Sequence, residues 1–372
     1  MIKGFKKIKR PFITVVGGGT GGHIFPAQAL AEKLKQRGHR VLYITDKRGM
    51  GFHTQPKDIP FFVLDLPYYR PGLIAKLALF VRLTIEIFYV TWRFLLKRPA
   101  LVVGFGGYPS FPPLVAALVL RVPFIMHEQN AYVGRVTRWL APFSQKITSV
   151  FSSINGLHPQ DSQKIVVTGN PIRANIAALR TARYKAPTKT IRLFVVGGSQ
   201  GAKAFSIILP LAIRLLPPLL KKRLKIIQQC RPEFEKETRA LYKEGGLSVT
   251  LAPFFQDIAS EYKKAHLIIT RAGASTITEL AAVGRPPLFI PLSTSMDDHQ
   301  TYNAQSIVNQ KAGWYTSERG LTPKSLAHTL EKILKDPKGL EKTAERLHAL
   351  GVTTADDALA DTVEAVLLSR QS

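Results

Sequence analysis

Short apolar runs alternate with longer amphipathic segments along almost the whole chain. Runs such as residues 12–16 and 191–196 are rich in β-branched and aromatic side chains, and each is followed by apolar residues at helical spacing. The same alternation appears in both halves of the chain. Strands that alternate with helices form parallel sheets covered by helices on both faces. The pattern therefore predicts an α/β protein with doubly wound sheets.

The predicted elements follow this alternation from end to end. Strands are predicted at residues 12–16, 41–45, 61–66, 101–103, 123–126, 164–168, 191–196, 224–228, 248–251, 266–270 and 287–291. Helices are predicted at residues 25–37, 73–97, 112–120, 323–334, 338–349 and 354–369. A chain of 372 residues exceeds the usual size of a single core, so two domains are expected.

Two glycine-rich turns, one in each half, follow predicted strands. Gly17-Gly-Gly-Thr-Gly-Gly22 follows the first strand, and Gly197-Gly-Ser-Gln-Gly201 follows the strand at residues 191–196. Backbone amides in such turns approach an anion closely, and the dipole of the next helix favours negative charge there. One turn in each half predicts twin Rossmann-like domains facing a shared cleft, where one holds a donor and the other an acceptor.

The first turn also fits the G-x-G-x-x-G pattern of dinucleotide-binding proteins, with Asp46 as the acid that would bind a ribose. That alternative leaves the second turn unexplained, and the chain offers no constellation for hydride transfer. His23 directly follows the first turn. It is either a structural cap of the helix or a side chain within reach of a bound pyrophosphate.

Two further polar segments have both a structural and a functional interpretation. Thr276 and Glu279 have the spacing of a capping box, or Glu279 accepts hydrogen bonds from a ribose diol while the amides of Ser275 and Thr276 face phosphate. Residues 297–303 are a solvated loop or a reader of sugar hydroxyls. The chain contains no Asp-x-Asp pair, so a diphosphate leaving group would be neutralised by helix dipoles and Arg173 instead of a metal.

Composition narrows the class of partner. Lys and Arg total 52 against 25 Asp and Glu, and the net charge of +27 predicts nucleic acid, acidic lipid or a phosphorylated substrate as partner. Nucleic acid is disfavoured, because no reader motif or aromatic-interleaved basic stripe is present. The single cysteine, Cys230, excludes a disulfide framework and a thiolate metal site within one chain, which favours the reducing cytoplasm.

The segment at residues 73–97 bears on membrane contact. No run reaches the roughly 18 uncharged apolar residues of a membrane span. Within this segment Arg82, Glu86, Arg93 and Lys97 share one helical stripe. It is either a buried core helix with one solvated edge or an amphipathic surface that rests on anionic headgroups. The basic residues 3–10 are interpreted as a tail before the first strand, not as a signal peptide.

Seven segments together resemble the MurG family of bacterial N-acetylglucosaminyltransferases in order and spacing. They are Gly17-Gly-Gly-Thr-Gly-Gly-His23, Gly106-Gly-Tyr108, His127-Glu-Gln-Asn130, Gly169-Asn-Pro-Ile-Arg173, Gly197-Gly-Ser-Gln-Gly-Ala202, Ala272-Gly-Ala-Ser-Thr-Ile-Thr-Glu279 and Asp298-His-Gln-Thr-Tyr-Asn-Ala304. The resemblance implies a GT-B fold, with two Rossmann-like doubly wound parallel-sheet domains and an interdomain cleft. Residues 1–172 would form the domain facing the acceptor and the membrane, residues 173–350 the UDP-sugar domain, and residues 351–372 a helix packing back on the first domain.

The resemblance also implies the activity. N-acetylglucosamine would be transferred with inversion from UDP-N-acetylglucosamine to the C4 hydroxyl of the muramoyl sugar of lipid I, making lipid II for peptidoglycan, with no cofactor and no metal. The enzyme would lie peripherally on the cytoplasmic face of the plasma membrane. Its partners would be UDP-N-acetylglucosamine, lipid I, an anionic membrane surface and proteins of cell-wall synthesis, and no nucleic acid.

Roles for single residues carry over from the same resemblance. His23 is the candidate general base, or a group that orients the acceptor. The acceptor would be held by Gly106, Gly107, Tyr108 and His127. The donor and transferred sugar would be bound by Thr20, Gly21, Gly22, Asn130, Arg173, Ser199, Phe255, Ala274, Ser275, Thr276, Ile277, Thr278, Glu279, Gln300 and Asn303. Phe255 stands where the family usually has an aliphatic residue whose backbone contacts uracil.

Two rival classes stay open. One is a related GT-B enzyme that glycosylates a membrane lipid such as diacylglycerol, or a nucleotide-sugar epimerase. The other is a basic nucleic-acid-binding protein, suggested by the charge alone. The segments His127–Asn130 and Gly106–Tyr108 favour the muramoyl acceptor.

Overall fold

The computed structural model describes residues 12–50, 58–67, 72–197 and 203–370. These residues form two compact units. Unit 1 contains the described residues up to Gln129, then Val133–Pro171, and those from Thr354 onward. Unit 2 contains Asn130–Tyr132 and Ile172–Thr353. Each unit is built around one sheet.

Strands and helices alternate in the described part of the chain. The first part of unit 1 contains β1 (Phe12–Val16), α1 (Gly21–Gln36), β2 (Arg40–Asp46), α2 (Lys47–Met50), β3 (Phe61–Leu64), α3 (Leu73–Leu96), β4 (Leu101–Gly104), α4 (Phe111–Val119), β5 (Phe124–Glu128), α5 (Arg135–Leu140), β6 (Lys146–Ser149), α6 (Pro159–Ser162) and β7 (Ile165–Val167). Unit 2 contains α7 (Ala174–Ala177), β8 (Ile191–Val196), α8 (Lys203–Arg214), α9 (Pro218–Lys221), β9 (Leu224–Gln229), α10 (Pro232–Glu244), β10 (Val249–Ala252), α11 (Ile258–Lys264), β11 (Leu267–Thr270), α12 (Ala274–Val283), β12 (Pro287–Phe289), α13 (His299–Val308), β13 (Trp314–Tyr315), α14 (Pro323–Leu334) and α15 (Pro337–Ala349). The last helix, α16 (Ala355–Leu368), belongs to unit 1.

The sheet of unit 1 is parallel throughout, in the order β3-β2-β1-β4-β5-β6-β7. Val16 at the end of β1 pairs with Ile44 of β2 on one side and with Gly104 of β4 on the other. The chain therefore winds away from β1 in both directions. Loops at the carboxyl ends of two such strands diverge and leave a crevice, which is where parallel sheets bind ligands.

Helices cover both faces of this sheet. On one face α3 and α4 contribute Val90, Phe94 and Leu114 to a buried cluster with strand residues such as Val102. On the other face the buried residues of β1 and β4 pack against α1 and α16, and that cluster includes Leu30, Leu34, Leu359, Val363 and Leu367. Successive strand residues point to opposite faces, which explains why the strands read as continuous apolar runs.

The sheet of unit 2 is also parallel, in the order β10-β9-β8-β11-β12-β13. Its core combines strand residues such as Leu193 and Ile269 with Phe205 of α8, Tyr242 of α10 and Leu330 of α14. The chain diverges here at β8 and β11. The predicted α/β class with doubly wound parallel sheets is confirmed in both units.

Three elements differ from the prediction. The helix predicted from residue 25 begins at Gly21, so His23 lies in its first turn. The strand predicted to run to residue 66 ends at Leu64, because the amide of Asp65 donates to the carboxylate of Glu86. Strand β6 was not predicted: it has few apolar residues and exists because it pairs with both β5 and β7.

Helix α3 presents its apolar side outward. Glu86 is only 6% exposed, and its carboxylate accepts the amide of Asp65 at 3.0 Å. The exposed apolar side chains are Leu73, Ile74, Leu77, Phe80, Val81, Ile85, Phe88, Tyr89, Trp92, Leu95 and Leu96, which we call the α3 apolar face. The interpretation as a buried core helix is therefore wrong. Among the helices that the structure describes, none is long and apolar enough to cross a membrane.

Candidate active site

The crevice of the unit 1 sheet lies between the loops that follow β1 and β4. The first loop leads directly into α1, where Thr20 is exposed and Gly21, Gly22 and His23 are half-buried. The second contains Gly106 and Gly107, with φ of +80° and +68°. The His23 imidazole lies against this second loop: a methyl group at Gly107 would stand 3.5 Å from its Cδ2. The structure thus brings together the predicted base and two predicted acceptor residues.

A buried glutamine that was not predicted as a site residue holds the His23 ring. Gln129 directly follows β5, and its Oε1 lies 2.9 Å from His23 Nδ1. Its Nε2 donates to the carbonyl of Phe105 at 3.0 Å. Gln129 stands inside the segment His127–Asn130, and its position there is the only sequence signal that pointed to it.

The carboxylate of Asp46 holds the first glycine turn in place. Its Oδ1 accepts the amides of Gly19 at 3.0 Å and Gly49 at 3.1 Å, and its Oδ2 accepts Arg48 Nε at 3.0 Å. The carboxylate is 1% exposed. The interpretation of Asp46 as a ribose-binding acid is therefore wrong, because both oxygens hold the protein's own backbone and Arg48.

Tyr108 is anchored on the other side of the same crevice. Its hydroxyl donates to the carbonyl of Pro67 at 3.0 Å, and the Arg48 guanidinium lies 4.7 Å from the centre of its ring. The anchoring keeps the Gly106–Gly107 turn next to the first glycine turn. Its predicted contact with the acceptor stays a prediction.

His127 is completely buried under the crevice. Its Nδ1 lies 2.9 Å from Thr148 Oγ1, and its Nε2 lies 3.2 Å from Asn170 Oδ1. Burial lowers its pKa to about 4, so the ring is neutral at pH 7. Its ring packs 4.9 Å from that of Phe105, centre to centre. The predicted acceptor contact of His127 stays a prediction, and its observed contacts are with the protein.

In unit 2, the corresponding crevice lies at the ends of β8 and β11. Ser199 falls outside the described residues, whereas Gly197 is described and donates its amide to Gln229 at 3.1 Å. Helix α12 begins at Ala274 after the extended Gly273, with no side-chain cap. The first-turn amides of α12 point out of the helix end toward this crevice, and a helix N-terminus of this kind favours an anion. The capping-box interpretation is wrong, because Thr276 lies inside the first turn.

The structure also brings Arg173 and Glu279 together. Glu279 Oε1 accepts Arg173 Nε at 2.9 Å, and its Oε2 accepts Nη2 at 2.9 Å and the hydroxyl of Tyr262 at 3.3 Å. Burial raises the pKa of Glu279, and the guanidinium of Arg173 opposes that shift. Arg173 itself is exposed on its outer side. Tyr262 is a third member of this group that was not predicted.

The other predicted residues of α12 face inward. Ile277 is 2% exposed, and the hydroxyl of Thr278 donates to the carbonyl of Ala274 at 2.9 Å. Phe255 is half-buried, with its ring edge-on to Phe194 at 5.2 Å. Their donor contacts stay predictions.

Asn303 joins two segments of unit 2 that are far apart in sequence. It is fully buried; its Oδ1 accepts the amide of Ala131 at 2.7 Å, and its Nδ2 donates to Asn130 Oδ1 and to the carbonyl of Ala272, both at 3.1 Å. Asn303 therefore positions Asn130, which is half-buried. Gln300 accepts the amide of Leu292 at 3.0 Å through its Oε1.

Comparison with known proteins agrees with this geometry. Residues 13–149 match the glycosyltransferase family 28 N-terminal domain, and residues 192–359 match the family 28 C-terminal domain. The chain is 42% identical over 355 residues to the UDP-N-acetylglucosamine–N-acetylmuramyl-(pentapeptide) pyrophosphoryl-undecaprenol N-acetylglucosamine transferase of Rhodospirillum centenum, covering 94% of this chain and 93% of that relative. The enzyme of the same name from Rhodospirillum rubrum is 39% identical over 359 residues, covering 95% and 91%. The chain belongs to this family of N-acetylglucosamine transferases, within glycosyltransferase family 28.

A solved structure supports the assignment. The Acinetobacter baumannii MurG structure shares 29% identity with this chain, with a TM-score of 0.77 over 96% of this chain and 99% of that one. The family resemblance, the GT-B fold class and the glycosyltransferase class are confirmed. The roles of the single site residues are taken up as proposals.

Proposed function

We propose that this chain transfers N-acetylglucosamine from UDP-N-acetylglucosamine to the C4 hydroxyl of the muramoyl sugar of lipid I, with inversion, producing lipid II. Family membership supports the two substrates. The site assignment rests on one observation: in each unit a helix begins at the crevice at the carboxyl ends of the strands. These helices are α1 in unit 1 and α12 in unit 2. Unit 1 takes the acceptor and unit 2 takes the donor.

His23 acts as the general base. A sugar hydroxyl is a weak nucleophile at neutral pH, and a positioned base is worth roughly 10²- to 10⁴-fold in rate. The hydroxyl oxygen attacks the anomeric carbon as the O–H bond breaks, and the proton passes to the imidazole. The anomeric C–O bond breaks at the same centre, and UDP leaves with the electron pair. Thr20, Gly21 and Gly22 line this region, with Gly106 and Gly107 holding the acceptor diphosphate.

The donor diphosphate is neutralised by the first-turn amides of α12 and by Arg173. A carboxylate has about four acceptor sites. Arg173 and Tyr262 donate to both oxygens of Glu279. Three of these sites are thus occupied, and a ribose diol that donates two hydrogen bonds must displace one donor. In this proposal it displaces one hydrogen bond from Arg173, and the released part of the guanidinium turns to the diphosphate. This exchange needs no metal, so turnover is expected to persist in EDTA.

The α3 apolar face rests on the membrane that carries lipid I. Exposed cations lie on the same helix or at its end, at Lys76, Arg82, Arg93 and Lys97. Apolar side chains flanked by cations favour an interface with anionic headgroups. We place the chain peripherally on the cytoplasmic face of the plasma membrane, with residues 1–172 toward the acceptor and the membrane, residues 173–350 holding the UDP-sugar, and residues 351–372 returning to the first domain.

One assay tests the reaction and its rivals. The purified chain is incubated with UDP-N-acetylglucosamine and a lipid I analogue in EDTA, and UDP release and disaccharide formation are measured. Disaccharide formation that His23→Ala lowers by roughly 10²- to 10⁴-fold would support the proposal. Transfer to diacylglycerol alone, or formation of an epimerised UDP-sugar without acceptor, would overturn the substrate assignment.

The Arg173 assignment has a matched control in unit 2. Arg173→Ala is expected to raise the KM for UDP-N-acetylglucosamine roughly tenfold or more, because hydrogen bonds to charged groups contribute about 1.5–3 kcal/mol. Arg239, an exposed arginine paired with Glu235 on α10, serves as the control. Arg239→Ala should leave this KM unchanged, and an unchanged KM in Arg173→Ala would contradict the assignment.

A further inference from the structure

The orientation of the Gln129 side chain is determined by the backbone of the unit 1 sheet. Gln129 is 2% exposed, and one end of its amide faces the carbonyl of Phe105 at 3.0 Å. A carbonyl oxygen only accepts hydrogen bonds, so the NH₂ end of the amide must be the end that faces Phe105. Phe105 is held in turn, because its own amide donates to the carbonyl of Val16 at 3.0 Å.

The opposite end of the same amide determines where the His23 proton lies. Gln129 Oε1 faces His23 Nδ1 at 2.9 Å. An amide oxygen also only accepts, so Nδ1 must carry the hydrogen. A neutral imidazole has one N–H, and its lone pair then lies on Nε2.

We infer that Gln129 is a positioning residue that holds neutral His23 in the tautomer whose Nε2 accepts a proton. The inference rests on the proposed role of His23 as general base. Nε2 is the nitrogen beside Gly107: a methyl group at that glycine would lie 3.6 Å from it. The other tautomer would present an N–H at this place and could not take the proton of the acceptor hydroxyl.

The neighbouring histidine does not disturb this arrangement. His127 packs against Phe105 on the buried side and remains neutral at pH 7. No positive charge from His127 therefore competes with protonation of His23. A series of polar contacts of 2.9–3.0 Å connects Val16, in the middle of the sheet, to the proposed base His23 through Phe105 and Gln129.

The test is a direct observation of the tautomer. The full chain is labelled with ¹⁵N-histidine, and two-bond ¹H–¹⁵N correlations distinguish a protonated from an unprotonated ring nitrogen. The His23 signals are assigned by their loss in His23→Gln. At a pH where His23 is neutral, we expect protonated Nδ1 and unprotonated Nε2 in the parent chain. In Gln129→Met we expect a mixture of both tautomers.

A second buried glutamine is a matched control. Gln228 in unit 2 is fully buried, donates to the carbonyl of Phe205 at 3.2 Å and accepts the hydroxyl of Tyr242 at 2.6 Å. Gln228→Met removes equivalent bonds elsewhere and should leave the His23 signals unchanged. Gln129→Glu keeps an acceptor facing Nδ1 and should retain the Nδ1–H tautomer, which provides a second variant if Gln129→Met does not fold.

Kinetics supply an independent readout. Gln129→Met should lower kcat roughly 10- to 100-fold with little change in either KM, a smaller loss than removal of the base itself. An unprotonated Nδ1 in the parent chain, or an unchanged tautomer in Gln129→Met, would overturn the inference. Full activity of His23→Ala would instead overturn the proposed base, and the tautomer measurement would still decide the role of Gln129.

Discussion

Gly107 shows how one residue serves both the backbone and the site. Its φ of +68° and ψ of 162° lie in a region that is essentially confined to glycine, where another residue costs roughly 1–3 kcal/mol. A side chain there would also contact Cδ2 of the His23 ring at 3.5 Å. The glycine therefore gives the turn its conformation and keeps the space beside the proposed base open.

Gly107→Ala is expected to lower both stability and turnover. Gly246 also has a positive φ of +68° and nothing within 4 Å of an added methyl group, so Gly246→Ala shows the cost of a side chain at positive φ away from the site. Both variants should lose roughly 1–3 kcal/mol of unfolding free energy. Only Gly107→Ala should also lose kcat, by up to about 10²-fold. Equal kcat in the two variants, measured with the lipid I analogue, would show that the space beside His23 is not needed.

Because His127 is buried, we expect unit 1 to lose stability in acid. Its pKa is lowered from 6.5 to about 4 in the folded chain. Between these values the unfolded chain binds a proton that the native chain does not, so stability falls as the pH falls from 6.5 toward about 4. The free energy of unfolding should fall by roughly 3 kcal/mol over this range, because each unit of difference in pKa corresponds to about 1.36 kcal/mol.

The test is to measure the free energy of unfolding in urea at pH 7 and at pH 4.5. All variants carry Trp314→Phe, so that tryptophan fluorescence comes from Trp92 and Trp139 and reports on unit 1 alone. His127→Gln should remove most of this loss of stability, whereas His158→Gln, at an exposed residue of the same unit, should retain it. The same acid sensitivity in both variants would show that His127 does not cause it.

At the scale of the element, α3 reverses the usual orientation of an amphipathic helix. Its carboxylate Glu86 is buried beside Val90 and Phe94 and accepts the amide of Asp65, while the residues of the α3 apolar face point outward. Burial also raises the pKa of Glu86. Soluble proteins rarely expose so large an apolar patch without a partner, and the flanking cations are the reason that we propose an anionic membrane as that partner.

Serine substitution of the α3 apolar face is expected to weaken membrane binding. Phe80, Phe88 and Trp92 are 67%, 72% and 55% exposed. Each contributes roughly 1.5–3 kcal/mol if fully buried, so the triple variant should bind anionic vesicles at least tenfold more weakly. Leu215, Leu219 and Phe254 of unit 2 are 57%, 80% and 70% exposed and form the control.

Co-sedimentation with anionic and neutral vesicles over a range of salt provides the measurement. The control triple serine variant should bind like the parent chain, and added salt should weaken binding of the parent. Unchanged binding of the α3 variant would remove this helix from the membrane contact. Loss of self-association instead of vesicle binding would assign the face to a second copy of the chain.

At the scale of the whole molecule, unit 1 is closed by the last helix of the chain. Helix α16 packs on α1 through Leu359, Val363 and Leu367, all buried in the core. Arg37, directly after α1, adds ion pairs to Asp357, Asp361 and Glu364 of α16. The ion pairs are partly exposed, so the apolar contacts should dominate the energy of docking.

Leu359→Ala is therefore expected to destabilise unit 1 more than Arg37→Ala. The leucine variant creates a cavity and should lose roughly 2–5 kcal/mol. The arginine variant should lose roughly 1 kcal/mol or less for each exposed pair, and less still at high salt. Urea unfolding in the Trp314→Phe background measures both. A larger loss in Arg37→Ala would show that the ion pairs, not the core, hold α16.

The sequence by itself determined most of the elements and the first glycine turn. Alternating apolar runs and helical spacing depend on local geometry, so the two sheets, this turn and the bounds of α14 were predictable from neighbouring residues. The motifs also supplied the candidate site residues, most of which stand directly after predicted strands, and their roles stay predictions. Gln129 and Tyr262 were not predicted, because nothing local distinguishes a side chain that contacts a site residue from any other polar residue.

Tertiary structure decided which of these residues meet and which faces are exposed. Arg173 and Glu279 pair across 106 positions, and Asn303 bonds to Asn130 across 173. Such contacts depend on the order in which strands assemble, which periodicity does not encode. Periodicity likewise shows which α3 residues share a face, but only packing decided that Glu86, Val90 and Phe94 point inward and that the α3 apolar face points to solvent.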